Sequence, residues 1–255
     1  LVDKKKEKNL FQRLVKYDFI FTPQKSSSKM FKNFMLRFSK KNFIQKLPVI
    51  FESGYPKLDY LRKRKIKKKS SEAIIVIAPS DYRHIQKLSI YNEIEDIIDL
   101  ILKKTSYKIY FRPYPANLKS KKITKIINKY NHINRFNLDD SNDYTNVYSK
   151  SKYLLTDISG TAVTYSFFTN KKVIFYSRNE KLVKKKYYAN NSYFKDRNKL
   201  GVIKNKPIKI VKFLNSGNSK NIRNNLRKEI TYLDNSKKRI KYLIKNIIKQ
   251  YEKKV

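Results

Sequence analysis

Apolar and polar positions separate into two rhythms along this chain. Ala73–Ala78 (AIIVIA), Tyr153-Leu154-Leu155 and Val173-Ile174-Phe175-Tyr176 are short, wholly apolar runs, the pattern of strands buried on both faces. Lys108–Phe111 and His132–Phe136 read as further strands between them. Helical spacing fills the gaps. Ile90, Ile94, Ile97, Ile98 and Ile101 form one stripe, with Glu93, Glu95, Asp96 and Asp99 early and Lys103-Lys104 late, a charge order that complements the helix dipole. These carboxylates read as a solvated face. Ile123, Ile126 and Ile127 mark a short helix, Asp143–Lys150 another, Ala162–Phe168 a third, and one starts near Ile208.

Strands and helices thus alternate from Ala73 to Tyr176, which predicts an α/β fold built on a Rossmann-like parallel sheet with ligands at the carboxyl ends of its strands. Upstream, Asp18–Phe21 and Pro48–Phe51 read as strands around a helix at Lys29–Ser39, and Gly54-Tyr55-Pro56 as a turn. This divides the chain into a remnant of an N-terminal α/β lobe (1–61), a basic linker (62–71), a nucleotide-binding Rossmann-like lobe (72–235) and a C-terminal amphipathic helix (236–255). The linker RKRKIKKKSS also has the composition of a solvated loop or a nucleic-acid patch. Lys181–Tyr188 and Asn190–Arg197 read as a surface loop. The last helix carries Ile240, Leu243, Ile244, Ile247, Ile248 and Tyr251 opposite a row of lysines. Such a helix packs on its own domain or lies on a membrane.

Chemistry concentrates at the turn Thr156-Asp157-Ile158-Ser159-Gly160-Thr161, between a strand and a helix. A helix start presents unpaired N–H groups and the positive end of the dipole, which suit a phosphate. Ser159 and Thr161 add hydroxyls, and Gly160 has no side chain to block approach. The same residues also serve as an ordinary N-cap and turn. Arg112, in Arg112-Pro113-Tyr114-Pro115, ends another strand, and an Arg with a helix start on one rim can hold a diphosphate together.

Composition adds limits. The 255 residues carry 61 basic and 20 acidic side chains, a net charge of +41, so the field attracts polyanions: nucleic acid, anionic lipid or a phosphate-rich substrate. The wealth of Lys, Asn, Ile and Tyr is also what an AT-rich genome encodes. With no cysteine, thiolate metal sites, disulfides and cysteine nucleophiles are excluded, and two isolated histidines offer no metal cluster. His84 is the acid–base candidate, without a visible orienting partner. No run is long and apolar enough to span a bilayer, and no signal-peptide pattern is present. The start at Leu1 reads as that of a fragment.

Gly54-Tyr55-Pro56-Lys57-Leu58-Asp59, the strand end Ala78-Pro79-Ser80, Thr156–Gly160 followed by Lys172–Tyr176, and the closing Asp234-Asn235-Ser236-Lys237-Lys238-Arg239-Ile240 resemble the CDP-glycerol glycerophosphotransferase family of teichoic-acid and capsule enzymes. The resemblance implies the C-terminal lobe of a glycosyltransferase-B-like fold with a truncated N-terminal lobe. It implies a donor, CDP-glycerol or another nucleotide-activated unit, whose phosphates meet Arg112, Tyr114, Asp157, Ser159, Gly160 and Thr161. Gly54, Pro56 and Asp59 would lie at the lobe junction. No cofactor or metal is implied. An acceptor hydroxyl would attack the donor phosphorus and release CMP. In a sugar-transferring relative the attack falls on an anomeric carbon. The implied acceptor is a polyphosphate or lipid-linked glycan, at the cytoplasmic face of an anionic membrane. Two departures stand out. The family's His-Gly motif, read as its base, has no match here, and its His-Pro is Tyr114-Pro115. A tyrosine, with a pKa of about 10, is a poor base but a good hydrogen-bond donor. The rival reading is a nucleic-acid-binding module, but the aromatics sit in apolar runs and no nucleic-acid motif appears.

Overall fold

A computed structural model describes residues 4–42, 46–63, 73–185, 197–217 and 231–252. The chain divides into two compact units, Leu1–Arg64 with Asn224–Val255, and Lys65–Arg223. The second unit therefore stops short of the boundary expected at 235, and the final helix groups with the N-terminal residues. Most of the basic stretch 62–71 lies outside the described residues.

In the first unit, helix α1 (Lys4–Leu14), strand β1 (Phe19–Thr22), helix α2 (Lys25–Asn42), strand β2 (Val49–Glu52) and helix α3 (Pro56–Lys63) follow in order. β1 and β2 pair in parallel, Phe19 opposite Val49. Phe11, Met35 and Ile50 are buried at the centre, with Phe31, Phe34 and Phe38 of α2 packed around them. α3, unlike the turn expected at Gly54-Tyr55-Pro56, begins at Pro56 itself. Proline suits the first helical position because the amide it lacks would be unbonded there.

Gly54, Pro56 and Asp59, expected at a lobe junction, all lie in this unit, and two of them contact the start of its last helix. The buried Asp59 carboxylate accepts the backbone N–H of Asp234 (2.7 Å), the N–H of Ser236 (2.8 Å) and the Ser236 hydroxyl. It therefore caps the start of the last helix, Ser236–Glu252 (α11 below), from α3. Gly54 sits at φ +78°, where a Cβ would come within 2.7 Å of Thr231 O and Ser236 Cβ. Arg62 adds a two-pronged bond to the Asp234 carboxylate, at 2.9 and 3.1 Å.

The second unit is a six-stranded sheet of β3 (Ile74–Ile77), β4 (Lys108–Phe111), β5 (Phe136–Leu138), β6 (Tyr153–Thr156), β7 (Val173–Tyr176) and β8 (Gly201–Lys204). Every pairing is parallel, in the order β5-β4-β3-β6-β7-β8. Counted within the unit this is 3-2-1-4-5-6, the doubly wound order whose direction reverses between its first and fourth strands. The three apolar runs of the sequence, β3, β6 and β7, are buried throughout and occupy the middle of the sheet.

The connecting helices are α4 (Tyr82–Ile85), α5 (Ile94–Lys104), α6 (Lys121–Tyr130), α7 (Thr145–Lys150), α8 (Thr161–Thr169), α9 (Glu180–Val183) and α10 (Pro207–Asn215); α11 (Ser236–Glu252) belongs to the first unit. Ile94, Ile97, Ile98 and Ile101 of α5 pack with Ile123, Ile126 and Tyr130 of α6 and with Ile210, Val211 and Leu214 of α10 in one core. Two expectations are corrected and one strand is added. The strand expected at His132–Phe136 starts only at Phe136, because the chain turns until the Phe136 N–H bonds back to Ile133 O, and the Arg135 guanidinium holds that turn through Thr105 O (2.8 Å). The loop expected from Lys181 begins as α9, capped by Asn179, whose side chain accepts the Leu182 N–H (2.9 Å), while residues 186–196 lie outside the description. β8 was not expected at all.

Candidate functional site

The reversal of strand order opens the rim between the carboxyl ends of β3 and β6. Pro79-Ser80 follows the first strand and Asp157–Thr161 the second, so the turn singled out in the sequence stands at the place where doubly wound sheets bind ligands. Thr156 fixes the two ends by donating its hydroxyl to Ala78 O (2.6 Å), and the Ala78 N–H returns to Leu155 O (2.9 Å).

Asp157 does not face the rim. Its side chain is fully buried, and Oδ1 accepts the N–H of Ser80 (3.0 Å), the hydroxyl of Ser80 (2.6 Å) and the N–H of Ile158 (2.8 Å). Oδ2 accepts the N–H of Ile90 (3.2 Å). Burial pushes its pKa above the ordinary carboxylate value, and the four hydrogen bonds pull the other way. Asp157 is thus a strut that ties the loop after β3 and the approach to α5 onto the end of β6. Ser80 stands 77 residues away in sequence, and nothing local announces this pairing.

Ser159, Gly160 and Thr161 form the entry to α8. Ser159 accepts the Thr161 N–H on its hydroxyl (3.3 Å) and the Ala162 N–H on its carbonyl (3.3 Å). The Val163 N–H bonds to Gly160 O (3.1 Å), so Gly160, not Ser159, stands at the N-cap, and Ser159 closes the turn one residue ahead of it. Gly160 is exposed, and a Cβ built on it meets nothing within 4 Å. No acidic residue falls in the first turn of α8. The Thr161 hydroxyl lies 2.6 Å from the Tyr148 phenol.

Arg112 is not brought onto this turn. Its guanidinium donates to Asp139 Oδ2 (2.7 Å) and Ser141 O (2.7 Å), beyond the end of β5. β4, whose end it follows, is separated from β6 by β3, about 10 Å across the sheet. Tyr114 is exposed at the start of the turn Pro115–Asn117. His84 lies in α4, its side chain outside the description, and His132 is exposed.

Farther along the same rim, a cavity of about 740 Å³ opens at the ends of β7 and β8, lined by Glu93, Asp96, Arg178, Lys206, Pro207 and Ile208. It lies apart from the hydroxyl-bearing turn. Glu93, read from the sequence as part of a solvated face, is mostly covered here: it accepts the Tyr176 phenol and lies 3.7 Å from Arg178. Among the described residues no group of three or more His, Asp or Glu is arranged to hold a metal ion, and no helix is long and apolar enough to cross a membrane.

No protein-family model and no curated protein matches the chain. Solved structures do. A variant of the wall teichoic acid polymerase TagF aligns at a TM-score of 0.62 and 19% identity over 97% of this chain and 63% of its own. A TagF variant soaked with CDPG aligns at 0.61 and 18% over 100% of this chain and 62% of that one. The chain thus spans less than two thirds of the length of the TagF chains it matches. Over that span its α/β architecture, with the six-stranded parallel sheet, is the glycosyltransferase-B-like fold of TagF.

Proposed function

We propose that this chain is the donor-binding part of a transferase that moves a glycerophosphate unit from CDP-glycerol onto a membrane-linked surface glycan or teichoic-acid-like acceptor. One observation carries the reading: at the switch point of the doubly wound sheet, Ser159, Gly160 and Thr161 open α8 toward the rim with two hydroxyls, an unobstructed backbone and no acidic side chain. That is the chemistry of a diphosphate cradle. The fold it shares with TagF, one structure of which was soaked with CDPG, supports a cytidine nucleotide as the donor.

In this reaction an acceptor hydroxyl oxygen attacks the donor phosphorus nearer the glycerol. A new P–O bond forms, the bond to the bridging oxygen breaks, CMP departs with that oxygen, and the acceptor's hydroxyl proton passes to the CMP phosphate or to water. The cradle binds the diphosphate and offsets charge on the leaving group. Asp157 is not the base, since both of its oxygens are committed to the fold. The net charge of +41 suits a polyphosphate acceptor and an anionic cytoplasmic membrane face. α11 adds exposed Ile244, Ile248 and Tyr251 beside Lys241 and Lys245, the make-up of a peripheral surface helix.

Calorimetry with CDP-glycerol, a UDP-sugar and an oligonucleotide tests the reading. Saturable binding of CDP-glycerol, weakened roughly tenfold when Ser159 and Thr161 are both replaced by Ala, is expected. Preference for the UDP-sugar moves the assignment to a glycosyltransferase of surface polysaccharide. Steeply salt-dependent oligonucleotide binding with no nucleotide preference replaces it with a nucleic-acid module.

A further inference from the structure

A hydroxyl helps an anion only if its proton points at it. Thr161 has one proton and two lone pairs, and near a helix start its hydroxyl can turn back onto the backbone instead. Its neighbour Tyr148, in α7, bears on which way it turns. The two oxygens are 2.6 Å apart, and Tyr148 is only 1% exposed, so water does not compete for the bond. Burial pushes the Tyr148 phenol up to about 12, while Thr161 and the Arg112 charge pull it back, so at neutral pH the phenol keeps its proton.

We propose that Tyr148 is a positioning residue: its phenol donates into Thr161 Oγ1, fills one lone pair, and leaves the Thr161 proton to be given to a phosphate oxygen of the donor. This rests on reading the turn as a diphosphate site.

The ring is held from two sides. Tyr165 meets it edge-on at 5.3 Å, with ring planes 78° apart, and Tyr144 packs against it at 5.0 Å. The Arg112 guanidinium lies over Tyr144 at 5.7 Å, itself anchored by Asp139. Arg112 therefore connects to the turn through two tyrosine rings. Asp139, Arg112, Tyr144 and Tyr148 form one packed path that fixes the direction of a single hydroxyl.

The test is a double-mutant cycle read by calorimetry with CDP and with cytidine, on Tyr148→Phe, Thr161→Val and the pair. Tyr148→Phe is expected to weaken CDP roughly fivefold, leave cytidine unchanged, and add nothing to the loss caused by Thr161→Val. Additive losses overturn the proposal. So does a lower melting temperature in Tyr148→Phe with an unchanged ratio of CDP to cytidine affinity, which reduces Tyr148 to packing. Should Tyr148→Phe not fold, Thr161→Ser carries the test, because serine accepts the same bond: it is expected to keep CDP affinity, and a loss as great as that of Thr161→Val overturns the proposal. A parent chain that binds no CDP removes the diphosphate reading and this proposal together. A parent that binds CDP beside an unaffected Tyr148→Phe removes the proposal alone.

Discussion

Replacing Asp157 by Asn separates a strut from a ligand contact. The carboxylate takes four hydrogen bonds, three on Oδ1 and one on Oδ2, with no exposed surface. Asparagine keeps an acceptor at the Oδ1 position but turns an NH2 group toward the Ile90 N–H, donor against donor. One buried amide is left unbonded, and the other three bonds lose their charge assistance. At 1–3 kcal/mol for an orphaned buried group, the expected loss is about 2–3 kcal/mol, and Asp157→Ala, which orphans four donors, costs about 4 kcal/mol or more. In urea the smaller loss moves the midpoint by about 1 M. Hydrogen exchange should speed most at the Ser80 and Ile90 amides. The pH dependence has a definite sign. The folded pKa is raised above the ordinary 3.8, so the stability Asp157 confers is full below that value and declines as pH rises through the folded pKa. CDP affinity of the folded variant should change less than threefold. An unchanged urea midpoint with a tenfold change in CDP affinity would falsify the strut and return the carboxylate to the ligand.

Two further substitutions probe the two units separately. Gly160→Ala meets no atom within 4 Å at an ordinary φ of −62°, so its melting temperature should match the parent, while CDP binding should fall severalfold if phosphate approaches this backbone; calorimetry beside a thermal melt reads both. Asp59→Ala removes the acceptor for Asp234 and Ser236 at the start of α11, so helical circular dichroism and urea stability should both drop, by about 3 kcal/mol; an unchanged α11 signal would contradict the capping role.

The central strands were legible because burial on both faces leaves no polar alternation, and β3, β6 and β7 announce themselves as solid apolar runs. α5 was legible from its isoleucine stripe and charge order. β8, with Gly-Val-Ile-Lys half-exposed at the sheet edge, has neither signal, and its place is set by pairing with β7. The site divides along the same line. A hydroxyl-rich turn between strand and helix is a local pattern, so Ser159–Thr161 could be found. What Asp157 and Arg112 do depends on partners 77 and 27 residues away, Ser80 and Asp139, and the sequence gives no hint that these acids and bases are already spoken for. Their residue types suit a phosphate, and the partners the fold gives them are protein groups.

That outcome bears on how so basic a chain would recognise a diphosphate. Arg112, the cation expected on the rim, is neutralised by Asp139 two strands from the turn. What the turn itself offers is amide dipoles and hydroxyls, whose strength depends on direction over a few tenths of an ångström and little on salt. A field of +41 acts over a Debye length, is screened by ions, and has no preference among anions. The two therefore divide the work. The surface charge raises the encounter rate with anything polyanionic, which under the proposed function would include acceptor and membrane. Under the proposed function, selection of the donor would fall to the few groups that the switch point aims, and the orientation of one threonine proton would then matter more there than any one of the 61 basic side chains.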